Sequence, residues 1–456
     1  MQAATVIDQM NPVLYRSNTH TGEIRAAKVI DQMNRDLYEA VVKGNVEDYH
    51  KALGQMPEEA RRRQVTPKGN TVLHVAAIHG HEDLVKRILE DAAMSSLLFA
   101  KNKRNESALH CAAEKGYDGI VSVIISATKH HGDVESPGGR VKEMIEMKDD
   151  VKDTALHKAV RMGHLEVARL LIQKDPEFEY LANDDGETPI YIASELQFHD
   201  CLVEMLSECK NPTYGGPLGR NALHGAILSG FGYSKISNLI QTVAFPYTNG
   251  EFATECTHTL LELELEKKIG LCEKTDMFGW APLHYAIKIE NDKAVRMILE
   301  KKASAAYICA GDSDEWTTTF HIAARHDKVE MMKEISKWCP DCWEMVNSKG
   351  QNVLHEAILS NKLNVIRHIE ENSDQFENLV IHKDEDGNTP LHLLAFAHHN
   401  ILQQFITERP MLNYFAFNKK HQTLFDMTFL ERNKLLDIWY KALEGLLIAV
   451  STLSFK

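Results

Sequence analysis

The sequence predicts an all-α chain, a solenoid of stacked helix-turn-helix units with short β-turn fingers between them. Three observations point there. First, one phrase returns along the chain: Thr71-Val-Leu-His74-Val-Ala-Ala77, Ser107-Ala-Leu-His110-Cys-Ala-Ala113, Thr154-Ala-Leu-His157-Lys-Ala-Val160, Ala281-Pro-Leu-His284-Tyr-Ala-Ile287, Val353-Leu-His355-Glu-Ala-Ile358 and Thr389-Pro-Leu-His392-Leu-Leu-Ala395. Weaker copies surround Tyr191, His224 and His321, and degenerate ones surround Tyr38 and Asp426. Second, successive marker positions from residue 74 to residue 426 lie 36, 47, 34, 33, 60, 37, 34, 37 and 34 residues apart, the near-constant spacing of a repeated supersecondary unit. Third, runs such as Glu82-Asp-Leu-Val-Lys-Arg-Ile-Leu89 and His164-Leu-Glu-Val-Ala-Arg-Leu-Leu-Ile172 follow the phrase and place apolar residues at helical spacing.

Each part of the unit has a physical reason. In Asp386-Gly387-Asn388-Thr389-Pro390, glycine allows the tight turn, threonine caps a helix N-terminus, and proline fits the first helical position, where no N–H is needed. The small pairs Ala76-Ala77, Ala112-Ala113 and Ala323-Ala324 give the first helix a low profile for close stacking. Gly80, Gly116 and Gly163 stand six residues after the marker histidine, where a left-handed residue ends the helix. The following run forms an outer helix with one apolar stripe, which only a neighbouring unit can cover. Turn, inner helix and outer helix at this period are the signature of ankyrin repeats.

The array is expected over residues 35–430 as about ten or eleven units, with a poorly ordered segment at 1–34 and a helical tail at 431–456. Val6-Ile-Asp-Gln-Met-Asn11 returns as Val29-Ile-Asp-Gln-Met-Asn34, a local duplication whose offset is unrelated to the repeat period. The two long intervals mark insertions near 129–148 and 244–270. The first contains the polar, glycine-rich Lys129-His-His-Gly-Asp-Val-Glu-Ser-Pro-Gly-Gly139 and reads as a loop. The second contains Thr259-Leu-Leu-Glu-Leu-Glu-Leu-Glu-Lys-Lys268 and reads as an added or extended helix.

Composition is that of ordinary globular material, 44% hydrophobic and 25% charged. With 51 Lys and Arg against 65 Asp and Glu, the net charge of −14 opposes nucleic-acid or anionic-membrane binding by bulk attraction. Eight cysteines scattered along a chain without an apolar leader suit a reducing cytosol. Cys339-Pro-Asp-Cys342 has the spacing of half a zinc site or a redox pair, yet no second pair accompanies it. The repeated histidines recur at one structural position, where an imidazole can bridge backbone groups of adjacent turns; a catalytic base needs one special neighbourhood instead.

Enzyme and metal signatures fail in specific ways. His355-Glu-Ala-Ile-Leu359 has Leu359 where a zinc-protease helix needs its second histidine. Asp384-Glu-Asp-Gly387 begins like part of a calcium loop, but Leu393 stands where the bidentate glutamate belongs. Gly215-Gly-Pro-Leu-Gly219 is followed by Arg220-Asn221 rather than the lysine and hydroxyl of a phosphate loop. No catalytic, cofactor-binding or metal residues are therefore assigned.

Partner binding is expected on the concave surface built by turn tips and inner helices. Trp280 and Trp316 stand at the entry to successive inner helices, where large amphipathic side chains make efficient contacts or, equally, pack neighbouring turns. Arg104, Lys68 and Asp386 are further tip candidates.

In order along the chain, Asp153-Thr-Ala-Leu-His157 through Asp175-Pro-Glu-Phe-Glu-Tyr180, Gly216-Pro-Leu-Gly-Arg-Asn-Ala-Leu-His224, Phe278-Gly-Trp-Ala-Pro-Leu-His284, Cys339-Pro-Asp-Cys342 and Asp386-Gly-Asn-Thr-Pro-Leu-His392 resemble the plant ankyrin-transmembrane proteins of the Accelerated Cell Death type. The resemblance covers about residues 35–430. It implies a regulator of plant immunity, cell death or stress signalling that works through other proteins, with a cytosolic array followed by a membrane domain. Here the apolar run Leu446-Leu-Ile-Ala-Val-Ser-Thr-Leu-Ser-Phe455 falls well short of the roughly 20 residues of a membrane helix. The expectation is a cytoplasmic interaction scaffold lacking the family's membrane domain. The alternative is a subunit held at the cytosolic face of the plasma membrane by full-length relatives.

Overall fold

Small residues on the inner helices set the architecture. Ala76, Ala77, Ala112, Ala113, Ala323 and Ala324 are fully buried, which lets one inner helix lie directly against the next. The computed structural model describes residues 32–130, 139–229, 253–311, 315–397 and 412–429, apart from Ala93 and Phe178. Within them the inner helices form one row: Arg35–Lys43, Val72–Ile78, Ala108–Lys115, Ala155–Arg161, Pro189–Glu195, Ala222–Leu228, Pro282–Lys288, Thr319–Arg325, Val353–Leu359, Pro390–Ala397 and Leu424–Phe429. Each contacts the one before and the one after.

A second row of outer helices runs behind it. Val46–Gly54, Glu82–Glu90, Asp118–His130, Leu165–Lys174, His199–Glu208, Ala253–Lys267, Asp292–Lys301, Val329–Trp338 and Leu363–Glu371 pack in the same sequential order. Outer helix Glu82–Glu90 shows the logic. Its charged residues face water, while Leu84, Val85, Ile88 and Leu89 are buried. Each such side chain contributes about 1.5–3 kcal/mol once covered, and the covering surface belongs largely to adjacent repeats. Stability is therefore a sum of units and nearest-neighbour interfaces.

Helix starts follow the chemistry read in the phrase. Thr188 accepts the Tyr191 N–H at 3.2 Å with Pro189 in the first turn. Inner helix Ala108–Lys115 ends on left-handed Gly116, whose N–H reaches the carbonyls of Ala112 and Ala113. Later units keep this left-handed ending without glycine, at Gln197, Glu290, Asp327 and Asn361.

The insertions contribute helix. Lys129 and His130 finish the outer helix Asp118–His130 rather than opening a loop, and Gly139–Glu146 forms an added helix that buries Val141, Met144 and Ile145. Residues 131–138 lie outside the described residues. Thr259–Lys267 belongs to Ala253–Lys267, which serves as the outer helix of its unit; 244–252 lies outside the described residues. So do the duplicated segment within 1–31, apart from its final residues, and the tail after residue 429. Among the described residues no helix is long and apolar enough to cross a membrane. The strands Cys309–Gly311 and Trp316–Thr318 pair antiparallel, with Gly311 opposite Trp316.

Candidate functional site

The turns are built by a residue that the repeated phrase does not contain. Eight positions before the marker, Asn102, Asp149, Asn183, Asp276, Asn347, Asp384 and Asn418 are buried. The side-chain oxygen of each accepts the N–H groups two and four residues on, at 2.8–3.1 Å. Such Asx closure gives the turn a fixed shape without secondary-structure partners. Asp384, whose neighbourhood resembled part of a calcium loop, is one of these staples.

Adjacent turns are then tied together by backbone. Lys103, Asp150, Asp184, Met277, Ser348, Glu385 and Lys419 donate their N–H groups to the carbonyls of Lys68, Arg104, Val151, Leu218, Trp316, Lys349 and Asp386, respectively, at 2.8–3.0 Å. Pro217 has no N–H to give, so this rung is missing between the turns at 184–186 and 217–219.

The marker histidines form a second ladder. Nδ1 of His110, His157, His284 and His392 accepts the N–H of Ser107, Thr154, Ala281 and Thr389 at 2.9–3.2 Å. Nε2 must therefore carry the proton. From His74, His110, His224, His284, His321, His355 and His392 it donates to the carbonyls of Glu106, Asp153, Trp280, Ile308, Gln351, Asn388 and Gln422 in the next unit, at 2.8–3.2 Å. Burial disfavours the imidazolium and pushes His110, His157, His224, His284, His321 and His355 down to about 4. These rings are neutral at pH 7, and all but His157, whose Nε2 is buried without a hydrogen-bond partner among the described residues, are bonded across the repeat, which makes them connectors.

Tyr191 replaces histidine in one unit, and its larger ring needs room. A Cβ on Gly216 would lie 2.1 Å from Tyr191 Cδ2, and Gly225 is also packed against the ring. That explains Gly216 as space for a side chain, while Gly219 answers a separate need, a left-handed φ of 75°.

Buried carboxylates of the turns and inner helices are likewise committed. Lys158 lies 2.9 Å from Asp149 and 3.2 Å from Glu106, and Asn102 donates to the same glutamate. Arg161 bridges Asp153 and Glu187, while Arg325 grips Glu356 through two bonds of 2.8 and 3.0 Å. Burial dominates the thiols and raises Cys201 and Cys209 to about 11 and Cys111, Cys256 and Cys272 to about 12. Cys339 and Cys342 are buried and free, with Cys339 Sγ 3.5 Å from the Ala303 carbonyl. Among the described residues no cluster of metal-ligating side chains occurs.

What remains uncommitted is the surface. Lys68, Arg104 and Asp386 are exposed on separate turn tips, with Lys68 and Asp386 far apart along the array. Trp280 is half-buried, its indole against His284 and Tyr285 and beneath the Lys288 ammonium, 4.9 Å from the ring centroid. Trp316 is half-buried on the short hairpin. Leu218, Met277 and Phe278, none of them among the contact residues expected from the sequence, are 47, 63 and 50% exposed on adjoining tips. Their signal was available: they occupy the two tip positions that elsewhere carry residues such as Lys103-Arg104, Asp184-Asp185 and Glu385-Asp386.

Comparison with known proteins agrees with this geometry. Family models for ankyrin repeats match residues 37–136 and 147–206. Protein Accelerated Cell Death 6 of Arabidopsis thaliana is 24% identical over 328 residues, 71% of this chain and 46% of that protein, so the chain spans about half of that relative's length. Notch-regulated ankyrin repeat-containing protein A of Danio rerio is 37% identical over 93 residues, 20% of this chain and 80% of that protein. A transient receptor potential cation channel subfamily A member 1 homolog of Caenorhabditis elegans is 31% identical over 131 residues, 29% of this chain and 9% of that protein.

Proposed function

Since this chain belongs to the ankyrin-repeat family, we propose that it is a protein-interaction scaffold, without a catalytic step of its own, in plant defence or cell-death signalling. The observation that carries the scaffold reading is the division of labour on the concave side: histidines, staples and buried ions are spent on joining repeats, leaving exposed tips and the half-buried Trp280 and Trp316 for contact. Large side chains of this kind dominate binding energy where they are desolvated by a partner. The similarity to Accelerated Cell Death 6 over 71% of the chain supports the defence setting.

We place this work in the cytosol, with membrane association arising through partners. Affinity capture with the intact chain and with Trp280→Ala plus Trp316→Ala, matched for thermal midpoint, tests the contact surface. The partner set is expected to shrink in the variant; an identical set overturns the assignment of these tryptophans. Altered dosage in leaf tissue is expected to change pathogen-induced lesion counts, and unchanged counts overturn the defence reading.

A further inference from the structure

The tips at 218 and 277–278 are separated by about sixty residues in sequence but adjoin in space, Met277 N–H to Leu218 carbonyl at 2.8 Å. Two features set this place apart. Leu218 holds φ at 60° and ψ at 27°, a left-handed conformation costly for a branched side chain, while the side chain itself stays in water. The neighbouring Met277 and Phe278 are also presented to solvent, so three large apolar groups share one tip pair.

Beyond Trp280, at the inner-helix ends of this and the next two units, the floor is cationic. Lys288 ends the inner helix Pro282–Lys288 and stacks over Trp280; Lys362 opens the outer helix two units on. Among the described residues neither has a carboxylate within ion-pair distance. The nearby acids are engaged elsewhere: Glu290 by Lys328, Glu356 by Arg325, and Asp327 by Asn364 and the Val365 N–H. His326, which feels both lysines, has its pKa lowered first by burial and then by Lys288, Arg325 and Lys362, with Glu356 opposing them in part. In a chain of net charge −14, this local excess stands against the long-range potential.

We infer that this stretch docks an acidic segment of a partner protein, with bulky apolar side chains on the Leu218, Met277 and Phe278 tips and carboxylates on the floor at Lys288 and Lys362. The inference rests on the scaffold reading and gives the partner its chemistry. It also gives the segment a direction: Asp185 on the preceding tip repels its acidic end, which therefore runs toward Lys362.

The test is selection of a random 16-residue peptide library on the intact chain, followed by affinity measurement of the recovered peptides. Met277→Ser plus Phe278→Ser and Lys288→Glu serve as variants, because all three sites are exposed and the variants are expected to keep their circular dichroism and thermal midpoint. Recovered peptides should combine Asp or Glu with Phe, Leu or Met, and either variant should weaken them at least about fivefold. Weakening by Lys288→Glu should disappear for peptides with the acids changed to lysine. Recovery of basic peptides, or of none, overturns the inference. Peptides that bind intact chain and variants equally also overturn it, while leaving the scaffold reading standing. Peptides matching this chain's own sequence, with a dimer in sedimentation, overturn it in favour of self-association.

Discussion

Lowering the pH should unfold this protein well before its carboxylates are neutralised, and the histidine ladder sets the size of the effect. In the unfolded chain an imidazole titrates near 6.5; in the folded one His110, His157, His224, His284, His321 and His355 are held down at about 4. Between those values the unfolded state binds protons that the folded state refuses. Stability is therefore present above the unfolded value and is lost as pH falls from about 6.5 toward 4. At about pH 5 each such histidine removes on the order of 2 kcal/mol relative to neutrality. Six together remove on the order of 12 kcal/mol, comparable with the whole stability of an ordinary domain. Urea unfolding followed by circular dichroism at pH 7.5 and 5.0 measures this. His355→Gln, which keeps hydrogen-bonding capacity without titrating, should reduce the pH dependence by about one proton's share. Equal urea midpoints at the two pH values would refute the neutral, buried state assigned to these rings.

Three other perturbations follow from the packing. Lys158→Ala leaves Asp149 and Glu106 as buried carboxylates without their ammonium and should cost about 3–5 kcal/mol in denaturant unfolding; a loss below about 1 kcal/mol would mean that water reaches the site. Gly216→Ala forces a Cβ into the Tyr191 ring at 2.1 Å and should lower the thermal midpoint by several degrees, with partial recovery in the Tyr191→His background. Leu218→Gly relieves the left-handed strain and should stabilise the chain by about 1 kcal/mol in urea unfolding while weakening the apolar tip; a destabilised variant would show that the leucine is held by packing instead.

The fold was legible because its determinants repeat. His, Ala-Ala and the outer-helix stripe return at a fixed period, and each copy corroborates the others. Helix endings were legible only where glycine marks them, at Gly80, Gly116 and Gly163; Gln197, Glu290, Asp327 and Asn361 take the same left-handed state without it, a conformation that Asp and Asn tolerate better than Gln and Glu. The Asx staples are not legible as a motif because Asn, Asp and even Thr66 alternate there, so the shared feature is a side-chain oxygen rather than one residue type. Among site residues, Trp280 and Trp316 drew attention by size, and both prove half-buried, split between packing and surface. Leu218 and Met277 are ordinary residues in sequence. Only the rung joining their turns shows that they form one patch, because about sixty intervening residues hide the adjacency.

The central claim is that partners meet the tips and inner helices while the outer row supports them. Hydrogen-exchange mass spectrometry of the chain with and without a captured partner tests it most directly. Protection is predicted at the turns around 102–106, 276–280 and 384–388 and in the inner helices behind them. Protection confined to the outer helices, such as Leu165–Lys174 and Asp292–Lys301, would contradict it.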